Sequence, residues 1–385
     1  MTDVAERPAH SPLGASGAER WLNCPGSVTL LKELALDESD EPDYRREGTA
    51  AHEAAAKALT DGLDAWELVG EEFFGLKIGP ELADPIQTYL DHCRQFAKPY
   101  FIEYGVSSPR HPQFYGTADF VAAGSDGLTV VDLKMGQGIM VDVEDNPQLK
   151  YYAFGVIEGL ERSGTGIFKD QHPVILTIVQ PRGHLEPVRS WETTAGEIKE
   201  WTHDVLLPAM YAAEYEDRLT PGDWCRFCPA KLVCPLLTAL FKAAATANPK
   251  HIPDLSDFAI GTNYVLAQAV KHYTKALETE AFNRAMLAKD IPGTKLVHKK
   301  GNRVWKDGAA DTAKAKFGDD AFSAPEFKSP AELEKLPAAR DWVKEFSYTP
   351  ETGLTLALES DSRRAVKATP PTERFAGVAA AAEDW

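Results

Sequence analysis

Apolar residues recur at two different periods along the chain, and the change from one to the other marks its organisation. From Gly17, the segment GAERWLNCPGSVTLLKEL predicts a short helix interrupted at Pro25-Gly26, then a second helical stretch. The Ala-rich GTAAHEAAAKALTDG predicts a helix capped by Thr49 and running to about residue 59, with His52 in its first turn. Helical spacing of apolar residues predicts another helix over 84–104, with Pro85 in its first turn and Pro99 kinking or ending it. The period then becomes two. Residues 113–123 and 128–135 are β-rich and are separated by Gly124-Ser125-Asp126-Gly127, a hairpin-type turn. Asn146-Pro147 opens a helix to about residue 158, with Asn as cap and Pro at the first helical position. The β-branched run PVILTIVQ (173–180) predicts a buried strand. Helices are expected over 195–215, kinked at Pro208, and over 263–289.

A chain of 385 residues exceeds one average domain, and the patterns divide it into a domain over 15–243 and a mainly helical extension over 250–385. Its composition, 44% hydrophobic and 26% charged, is that of a soluble protein able to bury a large core. No apolar stretch approaches the roughly 18–20 residues that span a bilayer, and MTDVAERPAHSPLGASG has no signal-peptide core. A cytoplasmic protein without a membrane partner is expected. The net charge of −17 argues against a protein that simply coats nucleic acid, since that affinity comes from phosphate neutralisation. It leaves room for a nuclease, which needs acidic metal ligands and only a local basic track.

The densest chemistry lies in Gly116-Thr117-Ala118-Asp119 and, one hairpin later, Val130-Val131-Asp132-Leu133-Lys134. Alternate residues of a strand share a face, so Asp132 and Lys134 point one way while Val131 and Leu133 point into a core. Asp119 can reach the same polar face across the hairpin. Two carboxylates and an ammonium on rigid strands suit metal-assisted phosphodiester hydrolysis: the carboxylates hold Mg²⁺ or Mn²⁺, and the lysine orients water or supports the developing anion. A solvent-face ion pair is the plain alternative for D-x-K alone. Gln148 and Tyr152, four apart, share one face of the following helix.

In order, G-T-x-x-H (Gly48 to His52), G-x-x-D (Gly116 to Asp119), D-x-K (Asp132 to Lys134) and Q-x-x-x-Y (Gln148 to Tyr152) resemble the RecB-like nucleases of the PD-(D/E)xK superfamily. The likeness covers roughly residues 15–240; Ala118 stands where that superfamily often has Pro. It implies an α/β, restriction-endonuclease-like core with a mixed central sheet flanked by helices. It also implies His52, Asp119, Asp132 and the Leu133 carbonyl as metal ligands, Lys134 as the catalytic lysine, and Gln148 and Tyr152 as residues holding the substrate or the site.

The cysteines are unevenly placed. Cys225, Cys228 and Cys234 fall within ten residues, and a tetrahedral metal needs a fourth ligand. Cys24 is the best candidate and Cys93, reading as a buried small hydrophobe, the second. One cysteine before the core and three after it resembles the iron–sulfur subset of RecB-like nucleases, which includes AddB subunits and CRISPR adaptation nucleases. That likeness implies a [4Fe–4S] cluster tying the ends of the domain together, with structural Zn²⁺ as the competing ligand.

Residues 291–306 contain Lys295, Lys299, Lys300, Arg303 and Trp305 and no acid, so a basic hairpin there could track phosphates and stack a base; a solvated hairpin is the plainer reading. A nuclease with this extension resembles a phage and prophage family known mainly as a domain of unknown function, implying a setting in recombination, replication or repair and a protein partner from it. The expected function is metal-dependent exonuclease action on DNA single strands or duplex ends. The second reading is an inactive nuclease-fold protein that binds DNA or scaffolds, and the third a zinc-stapled partner-binding protein.

Overall fold

The computed structural model describes residues 10–36, 43–97, 99–125, 127–137, 139–183, 186–246, 256–287, 289 and 291–294. The chain opens with helices α1 (Ala18–Asn23), α2 (Gly26–Glu33) and α3 (Asp43–Asp61). A small hairpin, β1 (Glu72–Phe73) and β2 (Leu76–Lys77), leads to α4 (Pro80–Cys93). Then come β3 (Tyr100–Ser107), β4 (Tyr115–Gly124), β5 (Gly127–Leu133), α5 (Pro147–Ser163), β6 (Pro173–Val179) and β7 (Val188–Thr194). Helices α6 (Ala195–Trp201), α7 (Leu207–Tyr215), α8 (Pro235–Thr246) and α9 (Asp257–Met286) follow.

The architecture is α/β. One sheet has the order β3-β4-β5-β6-β7; β5 and β6 run parallel, and the other neighbours are antiparallel. Helix α5 is the crossover that a parallel pair requires. Its start is fixed locally: the Asn146 side chain accepts from the Gln148 and Leu149 amides with Pro147 at the first position, a cap worth about 1 kcal/mol. It ends at Gly164, whose φ of 69° suits glycine.

Both faces of the sheet are covered. Phe120, Val131, Leu133 and Val179 pack with Ala51, Ala54 and Ala58 of α3 and Leu82, Ile86 and Leu90 of α4. Val121, Val130, Leu176 and Ile178 pack on the opposite face with Leu149, Ala153, Val156 and Ile157 of α5. Burial on two sides explains why β5 and β6 read as near-continuous apolar runs. Gly155 lets α5 lie close on β3, since a Cβ there would stand 2.6 Å from that of Val106.

Several expectations are corrected. The helix expected over 84–104 starts earlier, at Pro80, and stops at Cys93; the aromatic and β-branched run after Pro99 forms β3 instead. Gly48 and Thr49 lie inside α3, so Thr49 is not its cap and His52 sits in mid-helix. The expected helix over 195–215 is divided by a π-helical turn, Thr202–Leu206, next to Pro208. The long helix α9 begins at Asp257, capped by the Ser256 hydroxyl, and its Ala269 and Tyr273 pack with Cys225, Cys234 and Leu237. Lys295, Lys299, Lys300, Arg303 and Trp305 lie outside the described residues. Among the described residues, no helix is long and apolar enough to cross a membrane.

Candidate metal centre

Three carboxylates occupy one rung across three adjacent strands. The pairs Ile102↔Phe120 and Tyr104↔Ala118 bracket Glu103 and Asp119, and Phe120↔Val131 sets Asp132 across from Asp119. The backbone ladder lapses at this rung. Glu103 has φ of 49°, a strained value for a residue other than glycine. Face alternation slips by one there: Phe101 and Tyr104 both turn toward the α5 side, as do Ala118 and Val121, while Ile102 and Phe120 face α3 and α4. The strands stay in register, and Glu103 and Asp119 are released from pairing.

His52 reaches the same place from α3, its Nδ1 3.3 Å from Asp119 Oδ2. Ligand atoms of His52, Glu103 and Asp119 lie within 4.8 Å of one another. Asp119 Oδ2 also accepts the Leu133 amide at 2.8 Å, which brings the backbone at the end of β5 to the site.

Beside this trio, Asp132, Lys134 and Gln148 close a ring. Lys134 Nζ is 2.8 Å from Asp132 Oδ2 and donates to Gln148 Oε1 at 2.8 Å, and Gln148 Nε2 donates to Asp132 Oδ1 at 2.9 Å. Tyr152, one turn along α5 and buried, hydrogen-bonds Gln148. Asp132 is 2% exposed, and its Oδ2, despite the nearby ammonium, has no well-directed hydrogen bond. A buried acceptor left open is costly unless a cation completes it.

Electrostatics point the same way. Burial pulls the His52 imidazole down, but the charge and hydrogen bond of Asp119, with Asp132 behind it, push its pKa up to about 9. Burial, then the charges of Asp119 and Asp132, push Glu103 up to about 7 against the pull of His52. Burial raises Asp119, but His52, the Leu133 amide and Lys134 outweigh it and hold that carboxyl below its ordinary value. Asp132 stays above its ordinary value through burial and the charge of Asp119, opposed by Lys134. These acids crowd one another at one rung, and hard-oxygen donors with one imidazole suit Mg²⁺ or Mn²⁺.

His52, Asp119, Asp132, Lys134, Gln148 and Tyr152 are thus gathered in one place, as the sequence motifs anticipated. Glu103 was missed. Its only sequence signal was an acid in the apolar run YFIEYGV, hidden by assigning that run to a helix.

A family model described as "Protein of unknown function (DUF2800)" matches residues 10–364. The chain belongs to the DUF2800 family. The matched span takes in the carboxylate rung, the Lys134 ring and all five cysteines of this DUF2800 protein.

The DUF2800 chain also gathers four thiols. Cys24, Cys225, Cys228 and Cys234 are buried and line one small cavity, with Arg20 and Lys231 in its wall. The Thr220 amide donates to Cys24 Sγ at 3.3 Å. The backbone at 217–218 closes on Gly26, where a Cβ would stand 2.3 Å from the Asp217 carbonyl oxygen. Burial, then the neighbouring thiols, push Cys225 up to about 11; Cys228 is raised likewise, with Arg20 opposing. Four buried thiols lining one cavity are the donor set that a soft metal ion or an iron–sulfur cluster takes. Cys93 lies elsewhere, at the buried end of α4 in the core shared with α3, pushed up to about 12 by burial.

Proposed function

We propose that this protein is a RecB-like, PD-(D/E)xK-type nuclease that hydrolyses DNA phosphodiester bonds, acting as an exonuclease on single strands or duplex ends. The observation that carries the reading is the closed Asp132–Lys134–Gln148 ring beside the His52–Glu103–Asp119 trio. An ordinary surface ion pair has no need of a half-buried glutamine bridging both partners. The mixed sheet with helices on both faces supports a restriction-endonuclease-like core.

His52, Glu103, Asp119 and Asp132 would hold Mg²⁺ or Mn²⁺, with the Leu133 carbonyl the further ligand that the resemblance implies. A bound ion supplies Lewis-acid stabilisation of charge on the phosphate and lowers the pKa of water. Hydrolysis forms a bond from water oxygen to phosphorus and breaks one P–O ester bond, the departing oxygen taking up a proton. Lys134, fixed by Asp132 and Gln148, keeps its ammonium beside the rung, where it can orient the water or neutralise the anion. Tyr152 keeps Gln148 turned to that task.

The four clustered thiols are read as ligands of a [4Fe–4S] cluster. Structural Zn²⁺ on the same four thiolates is the competing reading.

Incubation with end-labelled DNA and Mn²⁺ or Mg²⁺, beside Asp132→Ala and Lys134→Ala, tests the nuclease reading. Metal-dependent cleavage by the wild type alone is expected. Equal activity in all three proteins would overturn it.

A further inference from the structure

Most described residues of the loop following Lys134 are tied to the sheet by hydrogen bonds. Gln180, at the end of β6, is fully buried and uses its whole amide on this loop. Its Nε2 donates to the carbonyls of Gly136 at 3.1 Å and Ile139 at 2.7 Å; its Oε1 accepts from the Val141 amide at 3.1 Å and from Arg189 Nη2 at 2.8 Å. Arg189 Nη1 also donates to the Val141 carbonyl at 2.5 Å. Gly183 lies against Gln180, leaving a Cβ only 2.9 Å from its amide carbon. The loop's ends are anchored as well, Met135 in one core, Val141 and Val143 against the other.

A second tie runs to the helix that carries His52. Gln137, its amide oxygen turned to Arg182, accepts from Nε at 2.7 Å, and Arg182 Nη1 pairs with Glu47 of α3 at 2.9 Å. This framework presents two adjacent apolar side chains to solvent: Ile139 is 40% and Met140 52% exposed. Scattered exposed apolar residues are ordinary. A pair on a tip pinned by a fully committed buried amide is preorganised.

We propose that the Ile139–Met140 tip is a wedge that stacks on the terminal base pair of a DNA duplex and parts it, leaving one strand to enter the carboxylate rung. The inference rests on the nuclease reading and narrows its substrate to duplex ends. The occupant follows from position: the tip lies five residues after Lys134, whose amide donates to the Val179 carbonyl at 2.8 Å, immediately before Gln180. A flat, apolar base-pair face is what two such side chains can cover next to a phosphodiester site, and branched aliphatic and thioether groups are the types that unstack bases.

The test is the double variant Ile139→Ser/Met140→Ser, which alters only exposed side chains, assayed on a blunt duplex and on the same labelled strand free. Duplex degradation should fall at least about tenfold while single-strand cleavage stays within about twofold. In a Lys134→Ala background, binding a duplex with 2-aminopurine at its terminal pair should raise the fluorescence, and adding the double substitution should abolish the rise. Equal effects on both substrates, or a rise that survives the double substitution, would overturn the wedge. Wild-type protein that cleaves neither substrate would instead sink the nuclease reading, and the fluorescence would still decide the wedge.

Discussion

Glu103 and Asp119 face each other across β3 and β4 at a rung missing from the ladder, between two pairs that are intact. The positive φ at Glu103 turns its carboxylate toward His52. Backbone strain of this kind costs on the order of 1–3 kcal/mol and persists where the surroundings impose it.

Glu103→Gly should therefore separate stability from function. Relief of strain is expected to leave the metal-free protein as stable as the wild type or about 1 kcal/mol more stable, while Mn²⁺ affinity falls about tenfold or more. Thermal unfolding without metal and calorimetric titration with Mn²⁺ measure the two. Unchanged Mn²⁺ affinity would remove Glu103 from the ligand set.

His52 sets a pH dependence with a definite sign. Its folded pKa of about 9 lies above the unfolded value near 6.5, so in metal-free protein its contribution is full below about pH 6.5 and is lost as pH rises through about 9. His52→Gln should cost metal-free stability at pH 6 and little at pH 10. A metal needs the neutral imidazole, so Mn²⁺ binding should release protons and tighten up to about pH 9. Proton release in two buffers of different ionisation enthalpy provides the check.

Gln148→Leu removes the bridge between Asp132 and Lys134 and leaves the ammonium free to swing away. Turnover on saturating DNA should fall roughly 100-fold with KM changed much less, because positioning is lost and not binding. A loss confined to KM would assign Gln148 to substrate binding instead.

Cys24→Ser should bleach anaerobically purified protein, removing absorbance near roughly 400 nm, and lower its unfolding temperature; Cys93→Ser should leave the colour intact. The contrast follows from the cavity, which Cys24 lines and Cys93 does not. Wild-type protein that is colourless and carries zinc would replace the cluster with a single ion.

Much of the centre was legible because its chemistry sits on local patterns. Asp132 and Lys134 are two apart on a strand, and Asn146-Pro147 announces the helix bearing Gln148 and Tyr152. Glu103 was not legible, because the face slip that exposes it also destroys the alternation that identifies a strand. β7 was missed for a related reason: VRSWETT is a polar edge strand, half open to solvent, with little periodicity to detect. The reach of His52 to Asp119, and of Cys24 to its companions, depends on packing between distant segments. Order along the chain could raise those contacts only as expectations.

The thiol site also fixes a sequence of events in time. Cys24 leaves the ribosome roughly two hundred residues before Cys225, Cys228 and Cys234, so no complete ligand set exists until nearly the whole α/β domain has been synthesised. A cluster or ion held by those thiols would have to arrive late, and its capture would certify that the first and last parts of the domain have found each other.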